Sequence, residues 1–321
     1  MIKAFVTGIS GLLGTNLAHD LLTHGFQVKG LVRYKSKYKG KHHDHLELIE
    51  GGLDSDLADL LQGVDIFIHV AAETRPELTS YNDYLQVNYK GTVSVFDAAV
   101  NCGIKKFVFV STANTLGYGD LNDPGDENMR ISFPFDRSFY AKSKLEAENY
   151  VLSQKHKIEV LVVNPTFMLG AYDTKPSSGR IVQMAWKRRI ILFPPGGKNF
   201  VHVKDVSQGI IGALSKGRNG EKYLLANENL SYRDFFKRLN RVTNQNPMMI
   251  PVPKMVWIFL GYIGDLLRFL KIETSISSTN MRILCVKNFY SNLKSKKELG
   301  MEYRPIDQAI KDAVEYFDRS G

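Results

Sequence analysis

The chain has 321 residues, 44% hydrophobic and 23% charged, an ordinary globular balance with length for a full domain and a second, smaller lobe. Its formal net charge is +9, but basic residues are spread along the whole chain and no nucleic-acid module is recognisable. Nucleic acid is therefore not an expected partner, and the positive field suits anionic small molecules. Cys102 and Cys285 lie far apart without metal-ligand spacing, which points to reduced thiols in a cytoplasmic protein.

Taken in chain order, Ile2 to Val6 is an apolar strand running straight into glycines, which does not read as a signal peptide. Asn16 to Thr23 has helical spacing, with Leu17, Leu21 and Leu22 on one side and Gly25 as its C-terminal cap. Val28 to Val32 is a second strand, followed by a basic loop from Arg33 to His45, whose histidines lack the carboxylates of a metal site. Leu46 to Glu50 reads as a strand, Leu57 to Leu61 as a short helix, Asp65 to Val70 as a buried strand and Tyr89 to Val100 as a helix. Lys106 to Val110 is the next strand, Ser138 to Ser153 a long helix and Glu159 to Val163 a strand. This alternation predicts an α/β fold with a doubly wound parallel sheet of the Rossmann kind, its apolar strands buried on both faces.

Beyond Pro165 the rhythm loosens, punctuated by Pro176, Pro194, Pro195, Pro247, Pro251 and Pro253. Residues 1–165 are expected to form a dinucleotide-binding domain to which 200–215 return. Residues 166–321 are mainly a smaller mixed α/β substrate lobe. The apolar stretch Val256 to Gly264 is soon interrupted by Asp265, Arg268 and Lys271, too short to span a bilayer. It reads as a helix covering the substrate site, with peripheral membrane contact as the lesser alternative.

The first strand leads into Thr7-Gly8-Ile9-Ser10-Gly11-Leu12-Leu13-Gly14. Glycines permit a tight turn and close backbone approach, and the helix start beyond them offers N–H groups to a pyrophosphate. Gly8, Ser10, Gly11, Leu12, Leu13 and Gly14 are the expected phosphate-binding residues. A fold that binds NAD usually ends its second strand with an acid, but here the chain reads Leu31-Val32-Arg33-Tyr34-Lys35. Arg33, with Lys35 beside it, can pair with a 2′-phosphate, so NADP is expected and NAD remains the alternative. Otherwise the two cations are a solvated loop.

Tyr140 and Lys144 are four residues apart on the long helix and share a face. A phenol ordinarily titrates near ~10, and an ammonium beside it is expected to lower that value and fit it for proton transfer. Ser111 and Thr112 follow a strand end, where a hydroxyl can face the ligand crevice or simply cap the turn.

Together with His69-Val70-Ala71-Ala72, Val87-Asn88-Tyr89-Lys90-Gly91-Thr92, Asn164-Pro165-Thr166 and Phe200-Val201-His202-Val203-Lys204-Asp205-Val206, these motifs resemble the extended short-chain dehydrogenase/reductase superfamily, in its NAD(P)-dependent epimerase/dehydratase branch. The resemblance covers nearly the whole chain and looks closest to dihydroflavonol-4-reductase-like proteins. It implies that Thr112 is the catalytic hydroxyl with Ser111 beside it, that Tyr140 and Lys144 take the catalytic positions, and that Asn88 supports the lysine through the helix behind the site. It places Leu53, Ala71 and Ala72 along the cofactor, and Pro165 and Thr166 by the nicotinamide. Gly52 departs from the family's usual aspartate. Lys198 stands near the arginine with which sugar-nucleotide enzymes grip a diphosphate, and supplies only a point charge.

The expected function is reduction of a ketone or aldehyde by NADP(H), acting on a small-molecule substrate. A nucleotide-sugar epimerase or dehydratase with tightly held NAD is the alternative, and a cofactor sensor without turnover a third. Phe167, Met168, Tyr172 and Trp186 suit either an apolar pocket or packing. By analogy of fold, a homodimer would use the outer faces of the helices carrying Val93, Val100, Phe139 and Tyr150, unless these are core.

Overall fold

The computed structural model describes residues 1–175 and 177–320, so Pro176 and Gly321 lie outside the described residues. A seven-stranded sheet forms the centre. Its strands are β1 (Lys3–Thr7), β2 (Gln27–Val32), β3 (Leu46–Glu50), β4 (Ile66–His69), β5 (Lys106–Val110), β6 (Glu159–Pro165) and, after three strands of the lobe, β10 (Glu221–Leu225). The spatial order is β3-β2-β1-β4-β5-β6-β10, and every pairing is parallel. The order reverses between β1 and β4, so a crevice opens at their carboxyl ends, where such sheets bind ligands.

Apolar side chains fill both faces of the sheet. One face packs α1 (Leu12–Thr23) and, further along, α6 (Val203–Lys216) around Val6, Ile68, Val108 and Val163. The other packs α3 (Gly91–Asn101) and α4 (Phe139–Ser153) around Phe67, Phe107, Val160 and Val162. Ahead of α3 lies the short α2 (Tyr81–Tyr84). Helix α6 crosses back from the lobe and delivers β10 to the sheet edge, so the return to the first domain runs through Leu225 and further than 200–215.

The lobe holds β7 (Phe167–Leu169), α5 (Arg180–Ala185), β8 (Ile190–Phe193), β9 (Gly197–His202), β11 (Glu228–Ser231), α7 (Tyr232–Val242), β12 (Met248–Pro251), α8 (Lys254–Phe269), α9 (Ser278–Cys285), β13 (Lys287–Asn288), α10 (Leu293–Leu299) and α11 (Ile306–Ser320). Strand β9 is the centre of a mixed sheet with β7, β11 and β13, and β8 pairs with β12 separately. Residues 200–202 therefore belong to the lobe. Phe200, Phe235, Leu239 and Ile310 make its core.

Two expected elements differ. Leu57 and Leu61 are buried, but a single Leu61 N–H to Leu57 carbonyl bond closes one turn before Gly63 enters the left-handed region at φ 67. One turn is too little to propagate a helix. The helix expected from Tyr89 begins earlier. Ser80 caps it by accepting from the Asn82 N–H, and the chain passes through a π-helical turn, Leu85–Lys90, before α3.

Candidate active site

The motifs around Thr7, His69, Ser111 and Asn164 lie at the carboxyl ends of the parallel strands β1, β4, β5 and β6. Thr7 closes β1 and His69 closes β4, paired in register. The Thr7 hydroxyl lies 2.7 Å from His69 Nδ1 and accepts from the Ala71 N–H at 3.2 Å, while His69 Nε2 lies 3.0 Å from the Thr92 hydroxyl. Burial first, and the Lys144 ammonium second, hold this imidazole down to about 3, so it is a neutral strut. The turn above it requires glycine at two positions. Gly8 has φ 69, and a Cβ there would stand 2.6 Å from the Ala71 nitrogen; a Cβ at Gly14 would stand 2.1 Å from the Gly8 carbonyl oxygen. Helix α1 starts at Gly11 with no side-chain cap and no acid in its first turn, leaving its N–H groups to an anion. Leu13 is buried in the core, so only its backbone is available to such a ligand.

Thr112 follows β5, and its side chain bears on the Tyr140 phenol of α4, while its hydroxyl accepts from the Asn114 N–H at 3.3 Å. Ser138 caps α4 by accepting from the Ala141 N–H. One turn beyond Tyr140, the Lys144 ammonium donates to the Val110 carbonyl at 2.8 Å and lies 4.0 Å from the Phe109 ring centroid. Burial pushes Tyr140 up to about 12, and the downward pull comes from Thr112. Burial holds Lys144 down to about 7, opposed by Glu148. The expected lowering of Tyr140 by Lys144 is thus absent in this arrangement, because the ammonium is turned to Val110 and Phe109 and is itself desolvated.

Ser111 does not join Thr112. Successive residues of an extended chain point to opposite sides, and the Ser111 hydroxyl donates to Glu148 Oε2 at 2.6 Å. Thr115 and Asn164 donate to the same oxygen at 2.9 and 2.8 Å, and Lys222 approaches the other at 3.5 Å. Glu148 is fully buried and escaped the sequence reading. The signal was there, since it continues the four-residue spacing of Tyr140 and Lys144. Asn88 does not touch Lys144. Its side chain exchanges two bonds with the Glu73 backbone and donates to the Ser143 hydroxyl at 3.0 Å, which donates on to the Tyr140 carbonyl. It positions α4 rather than touching reacting atoms.

At the far end of the crevice Arg33 and Lys35 are exposed just beyond β2. The Lys35 N–H donates to Glu50 at 2.7 Å, and no described residue pairs with the Arg33 guanidinium. Beside Gly52, where a carboxylate was missed, stands Asp54, whose Oδ1 would lie 2.3 Å from a Cβ at Gly52. Leu53 packs against Gly91, and Ala71 and Ala72 are half-buried. Pro165 is buried at the end of β6, and the Thr166 hydroxyl donates to Asn199 at 2.7 Å. Phe167 packs edge-on against Phe200, and Met168 and Trp186 join core clusters. Tyr172 lies against Tyr316 with the two rings tilted at 49°. These four are packing residues. Val100 and Tyr150 also pack inward, with the Tyr150 hydroxyl on Asp97, while Phe139 is partly exposed. Lys198, on β9, lies 5.2 Å from the Phe167 ring centroid and makes no ion pair or hydrogen bond with a described residue. Burial takes it down to about 8.

A family model described as "NAD dependent epimerase/dehydratase family" matches residues 4–226. A Synechocystis sp. protein carrying a dihydroflavonol 4-reductase designation is 28% identical, over 99% of this chain and 95% of its own. A Stigmatella aurantiaca enzyme named 4-hydroxy-2-methyl-3-oxo-4-farnesyl-3,4-dihydroquinoline-1-oxide ketoreductase is 32% identical, over 70% of this chain and 68% of its own. Among solved structures, that of gox2253 superposes with a TM-score of 0.84 at 28% identity, covering 100% of this chain and 99% of that one.

Proposed function

The chain belongs to the NAD-dependent epimerase/dehydratase family of extended short-chain dehydrogenases/reductases, and within it we propose a reductase that uses NADPH to convert a ketone or aldehyde to an alcohol. The observation that carries the reading is the Thr112–Tyr140 hydroxyl pair, with Lys144 one turn on, at the carboxyl edge of the sheet. The residues present fit a dinucleotide. Gly8 and Gly14 let the turn close tightly against the Ala71 backbone and the start of α1, α1 begins without a side-chain cap, and Arg33 offers an unpaired guanidinium to a 2′-phosphate. Such a cofactor, when bound, supplies the hydride.

This chain's own residues handle the proton and the geometry. Thr112 holds the carbonyl oxygen beside the phenol. Tyr140 is protonated at neutral pH, since burial pushes it up to about 12, and so stands ready to give its proton to that oxygen as negative charge develops. Lys144 steadies the phenolate that remains once its ammonium turns from the Val110 carbonyl toward it. A ketoreductase among the relatives supports a carbonyl substrate. Two measurements test the reading. Tyr140→Phe is expected to lower NADPH-dependent turnover on a carbonyl panel by about 10²–10⁴-fold with NADPH affinity nearly unchanged. Arg33→Ala is expected to remove a preference for NADPH over NADH in calorimetry; equal binding of the two by the wild type would sink the NADP assignment.

One observation favours a second reading, a nucleotide-sugar epimerase or dehydratase. The unpaired Lys198 ammonium lies ahead of Phe200-Val201-His202 and suits a diphosphate as a point charge. NAD that stays with the purified protein through dialysis, without net NADPH consumption, would favour it.

A further inference from the structure

Helix α8 turns the wrong face outward. Met255, Phe259, Tyr262, Leu266, Phe269 and Leu270 lie along one stripe at helical spacing and are all exposed, Met255 at 81% and Phe269 at 83%. The inward face is made by glycines: a Cβ at Gly261 would stand 2.7 Å from Ser278 Cα, and one at Gly264 2.3 Å from the Ile276 carbonyl oxygen. The helix's polar side chains face the protein as well. Asp265 accepts from the Ser278 N–H, and Arg268 donates to the Pro76 and Thr274 carbonyls. Of the charges on this helix, only the terminal Lys254 is exposed, and Lys271 is exposed just past its other end. Glu273, exposed two residues past Lys271, bears on Arg75.

We propose that α8 is a docking surface for an anionic phospholipid bilayer, lying in the plane of the interface with its apolar stripe among the acyl chains. This goes beyond the reductase reading and does not depend on it. No described helix is long and apolar enough to cross a membrane, and α8 spans only about 24 Å. A large solvent-facing apolar stripe with cations at its ends is the pattern of a helix that lies on lipid. Charge selects the occupant. The chain carries +9 overall, and Lys254 stands at a helix N-terminus, where the dipole disfavours a cation unless an external anion compensates. A second copy fits less well, because a two-fold antiparallel pair of α8 helices would set Lys254 against Lys271. Arg188 and Arg189, exposed and with side chains unpaired among the described residues, precede the exposed Ile190 and Leu192 of β8, whose partner strand β12 leads into α8. The stripe also reaches the approach to the active site: Arg282 donates to the Tyr262 hydroxyl and lies over the Phe133 ring, on the loop that leads into α4.

The test is flotation of the full chain with phosphatidylcholine vesicles, with and without phosphatidylglycerol, beside light scattering of the protein alone. Wild type should float with the anionic vesicles, and Phe259→Asp with Phe269→Asp should weaken partitioning by at least about tenfold per residue while NADPH binding and the thermal midpoint stay unchanged. Lys254→Glu with Lys271→Glu should abolish the preference for phosphatidylglycerol. The proposal is overturned by absence of flotation with either vesicle, by equal flotation of the aspartate variant, by indifference to phosphatidylglycerol, or by a wild-type dimer that the aspartate pair converts to monomer.

Discussion

Helices α4 and α8 both violate the rule that charge faces water and apolar groups face the core, and they do so in opposite senses. Helix α4 buries Lys144 and Glu148, with exposures of 1% and 0%, whereas α8 buries glycines and exposes phenylalanines. The buried charges of α4 are answered from within the fold, Glu148 by Ser111, Thr115 and Asn164, and Lys144 by the Val110 carbonyl. Of the exposed stripe of α8, Tyr262 alone is answered among the described residues, by a polar contact from Arg282. An inverted helix whose exceptions are satisfied internally marks a site, and one whose exceptions are left open marks a surface awaiting a partner.

The largest effect should come from the buried ammonium. Lys144 is held down to about 7 in the folded chain, against an ordinary lysine near ~10.4. Between those values the unfolded chain carries a proton that the folded chain has released, so stability rises with pH, by up to about 1.4 kcal/mol per unit. Below about 7 the full penalty for the buried charge is present. Lys198, taken down to about 8, acts in the same direction from pH 8 upward, and Tyr140 acts in the opposite direction only above pH ~10. The clean window is therefore pH 7–8. Urea unfolding of the cofactor-free protein should show stability climbing there in the wild type and nearly flat in Lys144→Met. A slope that survives the substitution would mean that α4 does not hold its charge in the way its packing implies.

A middle-sized effect separates the helices from the other side. Gly264→Ala places a methyl against the Ile276 carbonyl, an overpacking expected to cost about 1–3 kcal/mol. If α8 is a raised platform and not part of the catalytic core, the damage should appear as faster amide exchange in 254–278. kcat should hold near its wild-type value. A matching loss of kcat would tie the platform to the site.

Much of α4 and little of α8 could be read in advance. The glycine turn and the Tyr140–Lys144 spacing are local patterns, and local patterns survive in sequence because the backbone itself demands them, as Gly8 does at φ 69. Thr112 was visible for the same reason, as a hydroxyl ending a strand. Ser111 was misplaced because its partner, Glu148, gathers donors from residues 111, 115 and 164, which only the assembled sheet brings together. Asn88 was expected to support the lysine through the helix behind the site, and the π-helical turn that carries it directs its amide to Glu73 and to Ser143 of α4. The edge strand at 221–225 depends on long-range pairing with β6. For α8, the apolar run Val256 to Gly264 was read as a helix covering the substrate site, but a run apolar on every side does not say which face meets water.

The smallest effect on stability is the sharpest test of α4. Glu148→Gln keeps an acceptor oxygen where Ser111, Thr115 and Asn164 donate, and removes the charge. Losing charge-assisted bonds costs stability, and relieving a buried carboxylate of its desolvation returns some of it, so the net change should be within about 1 kcal/mol. The chemistry should move more than the fold. The Glu148 carboxylate is what opposes the downward shift of Lys144, so without it the ammonium loses its proton at lower pH. If protonated Lys144 steadies the Tyr140 phenolate, the basic limb of the kcat/KM profile for carbonyl reduction must then shift to lower pH, with KM for the carbonyl little changed. A profile that stays in place while stability drops by several kcal/mol would make Glu148 a structural strut only. The i, i+4 ladder from Tyr140 through Lys144 to Glu148 would then end at the lysine, and α4 would owe its inverted face to packing rather than to proton transfer.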